Sequence, residues 1–490
     1  AAAAATAAAA AAAVAAPVAA ERFRWGTATA AYQVEGAAKE DGRTWSVWDA
    51  FAHTPGNTYR NQTGDVADDH YHRWREDVAL MAKLGVDTFR LSLSWSRIVP
   101  VPATGAVNAR AVAHYRALFA ALRAHRIEPL VTLYHWDTPL SVSTWSDNTT
   151  AYGWLDARIV PLFAAYADAC FAAFGDVVQW WTTINEPQTV AVGGYGDNGK
   201  KAPGRCTNRT RCAAGDSRTE PYIAAHHMLL AHAAAVSKFR ERGANGRISI
   251  NLSGGYAEPL TATADDVAAA ARVMAFNYGW FADPLYFGDY PREMRELLGN
   301  RLPTFTATQR AALRGSTDFF AINHYTTAYA TTAAVGTCGY YCDMNATTTH
   351  VRDGVPIGER AASDWLWVVP WGFRKHLAWV ATRYHSPAIY VTENGVDVPG
   401  ENEMPLREAL DDSFREQYVR DYISAMHDAI VHDGVDVRGY MLWSLLDNFE
   451  WQDGYSLRFG VHYVDYAHNL TRYAKRSAHA YADIIKQWRL

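Results

Sequence analysis

Cysteine is scarce in this chain, five residues in 490, and none stands in the Cys-x-x-Cys spacing that structural zinc sites reuse. Charge of one sign is missing too: 46 Lys and Arg face 51 Asp and Glu, a net −5, and no basic run is long enough to follow a phosphate backbone. Nucleic acid is therefore excluded as a partner. No apolar run approaches the ~20 residues of a membrane span, apart from an alanine tract over residues 1–20 broken by Thr6, Val14, Pro17 and Val18. That tract lacks a starting Met and a basic leading region, so it does not read as a signal peptide. It reads as a low-complexity tail, with the remnant of a processed leader as the alternative, ahead of one domain spanning residues 21–490. What the chain does have is core-forming material, 49% apolar residues with 18 Trp and 27 Tyr. That composition fits a large globular unit, and closed α/β barrels with long loops reach this size as one domain.

The cysteines are paired locally. Cys206 and Cys212 bracket one short polar loop, and Cys338 and Cys342 bracket another. Each pair suits a small disulfide; the alternative, metal ligation, requires the two pairs to converge in space. Cys170 lies in a helix-like stretch and reads as a buried free thiol. Six Asn-x-Ser/Thr sequons begin at Asn61, Asn148, Asn208, Asn251, Asn345 and Asn469. Asn251 ends a strand-like run and is expected to be unmodified; the others sit in polar or loop-like contexts. Sequons and paired cysteines together point to a secreted or luminal protein, with chance sequons and a cytoplasmic location as the competing reading.

Eight apolar, β-rich runs of strand length fall at residues 23–28, 86–92, 128–134, 179–184, 247–252, 318–323, 388–393 and 437–443. Helix-like stretches lie between most of them, as at 109–125, 162–174 and 221–241. Alternation of this kind predicts an α/β fold, a single (β/α)8 TIM barrel with long βα-loop insertions, whose site forms at the carboxyl ends of the strands. Polar residues cluster at those ends: Gln33, Arg90, His135-Trp136, Asn185-Glu186, Asn323, Tyr325, Glu393 and Trp443.

Two of the runs end on a glutamate, in Thr183-Ile184-Asn185-Glu186-Pro187 and Val391-Thr392-Glu393-Asn394-Gly395. A solvated strand end before a turn is the plain reading of either alone. Together, at the mouth of a core where charge is costly, they form the carboxyl pair that an oxocarbenium-like transition state requires: one acid for the departing oxygen and one carboxylate facing the anomeric carbon.

With these two segments, Phe23-Arg24-Trp25-Gly26-Thr27-Ala28-Thr29-Ala30-Ala31-Tyr32-Gln33-Val34-Glu35-Gly36 and Trp443-Ser444-Leu445-Leu446-Asp447-Asn448-Phe449-Glu450-Trp451 complete four motifs, in order. The chain after Glu21 thereby resembles the family 1 glycoside hydrolases, the retaining β-glucosidase family. The resemblance implies that Glu393 is the nucleophile and Glu186 the acid/base, with a carboxyl separation of ~5–5.5 Å and retained anomeric configuration. It further implies sugar contacts from Gln33, His135, Trp136, Asn185, Asn323, Tyr325, Glu450, Trp451 and Phe459, with Trp443 beneath the ring and Arg90 and Tyr325 flanking Glu393. Trp365 matches a position that often lines the aglycone site; Trp367 and Trp371 compete for that role. For His135 and Trp443 the competing readings are a satisfied core histidine and a core aromatic.

Other patterns lose on context. Gly194-x-Gly196-x-x-Gly199 follows Glu186-Pro187 and leads into Lys200-Lys201-Ala202-Pro203-Gly204, so it reads as a flexible loop and not a dinucleotide turn. His70-x-His72 and His226-His227 lack a third metal ligand. No metal and no other cofactor is expected, the substrates are β-glucosides or short β-linked oligosaccharides, and oligomeric state is left open. A non-catalytic sugar-binding protein would have lost one carboxylate, and a thioglucosidase would carry glutamine for Glu186. A 6-phosphoglycosidase needs cations where Glu450 places a carboxylate.

Overall fold

The computed structural model describes residues 22–143, 153–243, 245–334, 336 and 338–488; the alanine tract and the Asn148 sequon lie outside the described residues. Eight parallel strands close into a barrel in sequence order: β1 (Arg24–Ala28), β2 (Thr88–Ser92), β3 (Glu128–Tyr134), β4 (Trp180–Asn185), β5 (Arg247–Ser253), β6 (Phe320–Asn323), β7 (Ile389–Asn394) and β8 (Val437–Trp443). Closure is made by β1 against β8, with Arg24 opposite Gly439 and Ala28 opposite Trp443. Every residue of β2, β4, β6 and β7 is buried. Such strands face the barrel interior on one side and helices on the other, so they read as continuous apolar runs without polar alternation.

The expected runs match these strands to within two residues at each end. The three expected helices form as Ala109–Ala124, Ile159–Phe174 and Glu220–Glu241. The first shows how the local sequence sets an element. Asn108 caps it by accepting from the Arg110 N–H at 3.1 Å, and Ala111, Tyr115, Leu118 and Leu122 recur at helical spacing on its buried side.

The Gly194 segment departs from the expected flexible loop. A helix, Pro187–Tyr195, runs through it, followed by a single turn at Asp197–Gly199. The glycines are there for contact: a Cβ on Gly194 would sit 2.6 Å from the Ala202 carbonyl oxygen, and one on Gly193 would sit 2.8 Å from Lys201 Cδ.

Long insertions after β5, β6 and β8 rise over the carboxyl ends of the strands. The β8 insertion, which carries Glu450 and Trp451, is fixed by buried ion pairs. Asp447 accepts from Arg458 at 2.6 Å and from Lys475 at 2.8 Å. At the opposite end of the barrel, Trp488 of the last helix, Arg476–Trp488, meets Trp25 edge-on at 5.2 Å.

Cys206–Cys212 and Cys338–Cys342 are both disulfides, each with Cα atoms 5.5 Å apart. Cys170 is buried and free, and burial pushes its thiol well above the usual range. Asn251 is fully buried, so a glycan cannot reach it, whereas Asn61, Asn208 and Asn469 are exposed. His70 and His226 bond Asp77 and the Tyr290 hydroxyl, His72 bonds Asp69 and Glu40, and His227 bonds the Trp154 carbonyl.

Candidate active site

β4 ends by turning sharply into the helix that begins at Pro187, and Glu186 is the residue that makes the turn. It adopts left-handed φ 47°, ψ 61°, and Pro187 supplies a φ already suited to a first helical turn. A non-glycine residue held there stores strain of about 1–3 kcal/mol, and such strain gathers at functional sites. Trp136 and Trp451 share the feature, with φ of 76° and 55°. The Glu186 N–H donates to the Asn251 carbonyl at 2.9 Å. Its side chain accepts from Asn323 Nδ2 through Oε1 and from Thr189 Oγ1 through Oε2, each at 2.8 Å.

Glu393 lies one residue from the end of β7 and is almost wholly buried. Arg90 Nη1 donates to its Oε1, and the Tyr325 hydroxyl donates to Oε2 at 2.7 Å. Burial pushes the Glu393 carboxyl up, Arg90 pulls it down, the charge of Glu186 pushes it up again, and the Tyr325 bond pulls it down; it settles at about 7. Of the two carboxyls, Glu393 is the one with a guanidinium hydrogen-bonded to it. Past Glu393 the chain passes so close to β8 that a Cβ on Gly395 would lie 1.7 Å from the Trp443 carbonyl oxygen. Only glycine fits the Asn-Gly end of this motif.

A continuous chain of bonds joins the two carboxyls. The second arm of Arg90 donates to Asn185 Oδ1 at 2.6 Å, and Asn323 Nδ2 donates to the same oxygen at 3.1 Å. Two donors on one oxygen orient the Asn185 amide, leaving its Nδ2 to donate to His135 Nε2 at 3.0 Å. Burial pushes His135 well below its usual range, so it is neutral, and with Nε2 accepting, Nδ1 carries the proton.

Several polar atoms at the mouth lack protein partners. Gln33 donates through Nε2 to Asn448, to the Phe449 carbonyl and to Glu450, while its Oε1 and His135 Nδ1 are buried without partners. Unsatisfied buried groups are rare in native folds and call for a ligand or water. Around them stand aromatic rings. Trp443 lies nearly parallel to His135 at 6.0 Å. Trp136, whose indole N–H donates to the Asn185 carbonyl at 3.0 Å, packs on Trp451 at 4.3 Å. Phe459 and Trp365 each set an edge against Tyr325, at 6.1 and 5.7 Å. Trp365 is 50% exposed, at the rim; Trp371 is also exposed and Trp367 half-buried against His350.

The structure thus gathers every expected site residue, and it adds three that sequence reasoning did not single out. Thr392 Oγ1 donates to Asn323 Oδ1 at 2.7 Å, which orients that amide toward Glu186. A register shift between Val391 and Glu393 in the pairing of β7 with β6 puts two consecutive side chains to use. Thr189 follows Glu186 by three residues, the reach of one helical turn. Lys201, from the glycine-rich segment, brings a cation beside Glu450 where a carboxylate alone was expected. No local pattern marks it.

An eight-stranded parallel barrel with two carboxyls bridged across its carboxyl-end mouth defines a glycosidase. Residues 18–489 match the family model described as Glycosyl hydrolase family 1, and the chain belongs to that family. It is 48% identical over 476 residues to beta-glucosidase 6 of Oryza sativa subsp. japonica, covering 95% of this chain and 90% of that protein. Among solved structures, a rice beta-glucosidase superposes with a TM-score of 0.90 at 47% identity, covering 94% of this chain and 97% of that one. A family 1 beta-glucosidase from the fungus Humicola insolens, in complex with glucose, gives 0.91 at 42% identity, covering 95% and 98%.

Proposed function

We propose that residues 21–490 form a single catalytic domain, preceded by the alanine-rich tail, that acts as a retaining, exo-acting β-glucosidase. It releases terminal β-D-glucosyl residues from O-glycosides, with Glu393 as nucleophile and Glu186 as acid/base. The observation that carries this reading is the clamp of Arg90 and Tyr325 on Glu393, with Asn323 and Asn185 tying that carboxyl to Glu186 across the barrel mouth.

In the first step Glu186 gives its proton to the glycosidic oxygen while a Glu393 oxygen attacks the anomeric carbon. The bond to the aglycone breaks and a glycosyl ester forms. Esterification removes the Glu393 charge, which frees Glu186 to remain ionised and to take a proton from the incoming water. Water attack on the anomeric carbon then restores Glu393 and releases glucose with its configuration retained. Gln33 Oε1 accepts from one sugar hydroxyl and His135 Nδ1 donates to another. Glu450 accepts from the 4- and 6-hydroxyls, and Trp443 packs against the C–H face of the ring. Asn185 serves the 2-hydroxyl, where a contact that tightens in the transition state adds several kcal/mol. Trp136, Asn323, Tyr325, Trp451 and Phe459 complete the pocket, and Trp365 at the rim meets the aglycone.

Alternative readings fare worse. Both carboxylates are present, against a non-catalytic binder, and Glu186 is an acid, against a thioglucosidase. Lys201 is a cation near the 6-hydroxyl side, but Glu450, Asp453, Glu186 and Asp197 all act on it, so the local charge stays negative and disfavours a 6-phosphate. Two disulfides and exposed sequons support a secreted or luminal location.

Hydrolysis of a chromogenic aryl β-D-glucoside by the intact protein beside a folded Glu393→Gln variant tests the reading. Turnover lost only in the variant supports it. An intact protein inert on gluco, galacto and fuco substrates refutes it.

A further inference from the structure

Lys201 is a lysine held in place. Its backbone N–H donates to the Gly193 carbonyl at 3.1 Å, and its alkyl stem lies against Gly193, whose missing side chain makes the room. Its Nζ stands 4.7 Å above the Trp136 ring, in cation–π range, and donates to Gln452 Oε1 at 3.2 Å. The other end of that amide donates to Asp453, so its orientation is set. Gln452 and Asp453 belong to the turn Trp451–Asp453, which Glu450 caps, and the Glu450 N–H closes it on the Gly454 carbonyl at 2.6 Å. A fixed ammonium thus meets the one turn that places the carboxylate assigned to the 4- and 6-hydroxyls.

We infer that Lys201 is a positioning residue for sugar recognition: its ammonium favours the doubly accepting carboxylate of Glu450 and, through the Gln452 amide, fixes the turn that aims that carboxylate at the sugar. A protonated carboxyl has one acceptor fewer and presents a donor in its place. The charged groups acting on Glu450 are Lys201, Asp453, Asp397 and Glu393; those acting on Lys201 are Glu450, Asp453, Glu186 and Asp197. Of these, only Lys201 favours the Glu450 carboxylate. Burial raises the Glu450 carboxyl to about 8 and Lys201 is the charge that pulls it back down, while burial lowers Lys201 and the surrounding carboxylates oppose that.

The inference rests on the proposed sugar-binding role of Glu450, and one set of variants separates the two. KM for an aryl β-D-glucoside is measured against pH in the intact protein, Lys201→Met, Lys201→Arg, Glu450→Gln and the Lys201→Met/Glu450→Gln pair. Methionine keeps the packed stem without the charge. The pH below which KM climbs is expected to rise by about one to two pH units in Lys201→Met, the effect of one charge several Å away at an effective dielectric near 20. Arginine is expected to restore the original profile. In the Glu450→Gln background the Lys201→Met change is expected to leave the KM profile unmoved, which separates action through Glu450 from direct action on Glu186. A uniform change in KM at every pH, or the same displacement with and without Glu450, overturns the inference. Unchanged relative rates on gluco, galacto and fuco substrates in Glu450→Gln would overturn the Glu450 assignment itself.

Discussion

Replacing Glu186 with glutamine removes a negative charge from beside Glu393 while preserving shape. For carboxyls ~5–5.5 Å apart at an effective dielectric near 20, the repulsion is roughly 3 kcal/mol, or about two pH units. Glu393 is pushed up to about 7 by burial and by Glu186, against the pull of Arg90 and Tyr325. Its carboxylate is the form that attacks the sugar, so kcat/KM in the intact protein should fall as pH drops through about 7. The sign follows from the role: below that limb the nucleophile is neutral. The assay is the burst rate of a 2,4-dinitrophenyl β-glucoside, whose leaving group departs without an acid. On this substrate Glu186→Gln, which removes the repelling charge, should move the acid limb down by about two pH units. An acid limb that stays near 7 in the variant would refute the reasoning.

Tyr325→Phe deletes the 2.7 Å bond to Glu393; a hydrogen bond to a charged group contributes about 1.5–3 kcal/mol. Burst kinetics should therefore show a tenfold or greater loss in the glycosylation rate, with KM little altered. Thr392→Val leaves Asn323 Oδ1 buried without its donor, and thermal unfolding should show a destabilisation of about 1–3 kcal/mol together with slower turnover. Trp365→Ala removes a half-exposed rim ring, so stability should hold within about 0.5 kcal/mol. KM should rise for bulky aryl aglycones and stay put for small ones. For Glu186→Ala, azide should restore turnover of an activated glucoside, read as release of the β-glucosyl azide; an absence of rescue counts against the acid/base role.

How much of this was legible beforehand depends on the range of the signal. The barrel was visible because each buried strand is a continuous apolar run, as in Trp180–Asn185 and Ile389–Asn394, and because helices such as Ala109–Ala124 carry their own caps and periodicity. Glu186 and Glu393 were visible because a charge ending such a run is locally anomalous. Thr392 stood inside a recognised motif, yet its bond to Asn323 depends on a register shift between two strands some seventy residues apart, which composition does not encode. Gly194 stood in what looked like a flexible loop. It and Gly193 are instead surfaces against which Ala202 and Lys201 pack, and that appears only when the chain has folded back on itself. Lys201 was missed for the same reason. Its neighbours come from two other segments, Trp136 after β3 and Glu450 and Gln452 in one turn after β8.

The claim at the centre is that Glu393 becomes covalently bonded to the sugar. Incubation of the intact protein with 2,4-dinitrophenyl 2-deoxy-2-fluoro-β-D-glucoside, which forms the glycosyl ester but resists its hydrolysis, followed by proteolysis and peptide mass spectrometry, tests it directly. The account predicts stoichiometric inactivation with the fluoroglucosyl group on Glu393 and a burst of dinitrophenolate of matching size. Labelling at another residue, or steady turnover of glucoside by a protein that never acquires the adduct, would contradict it.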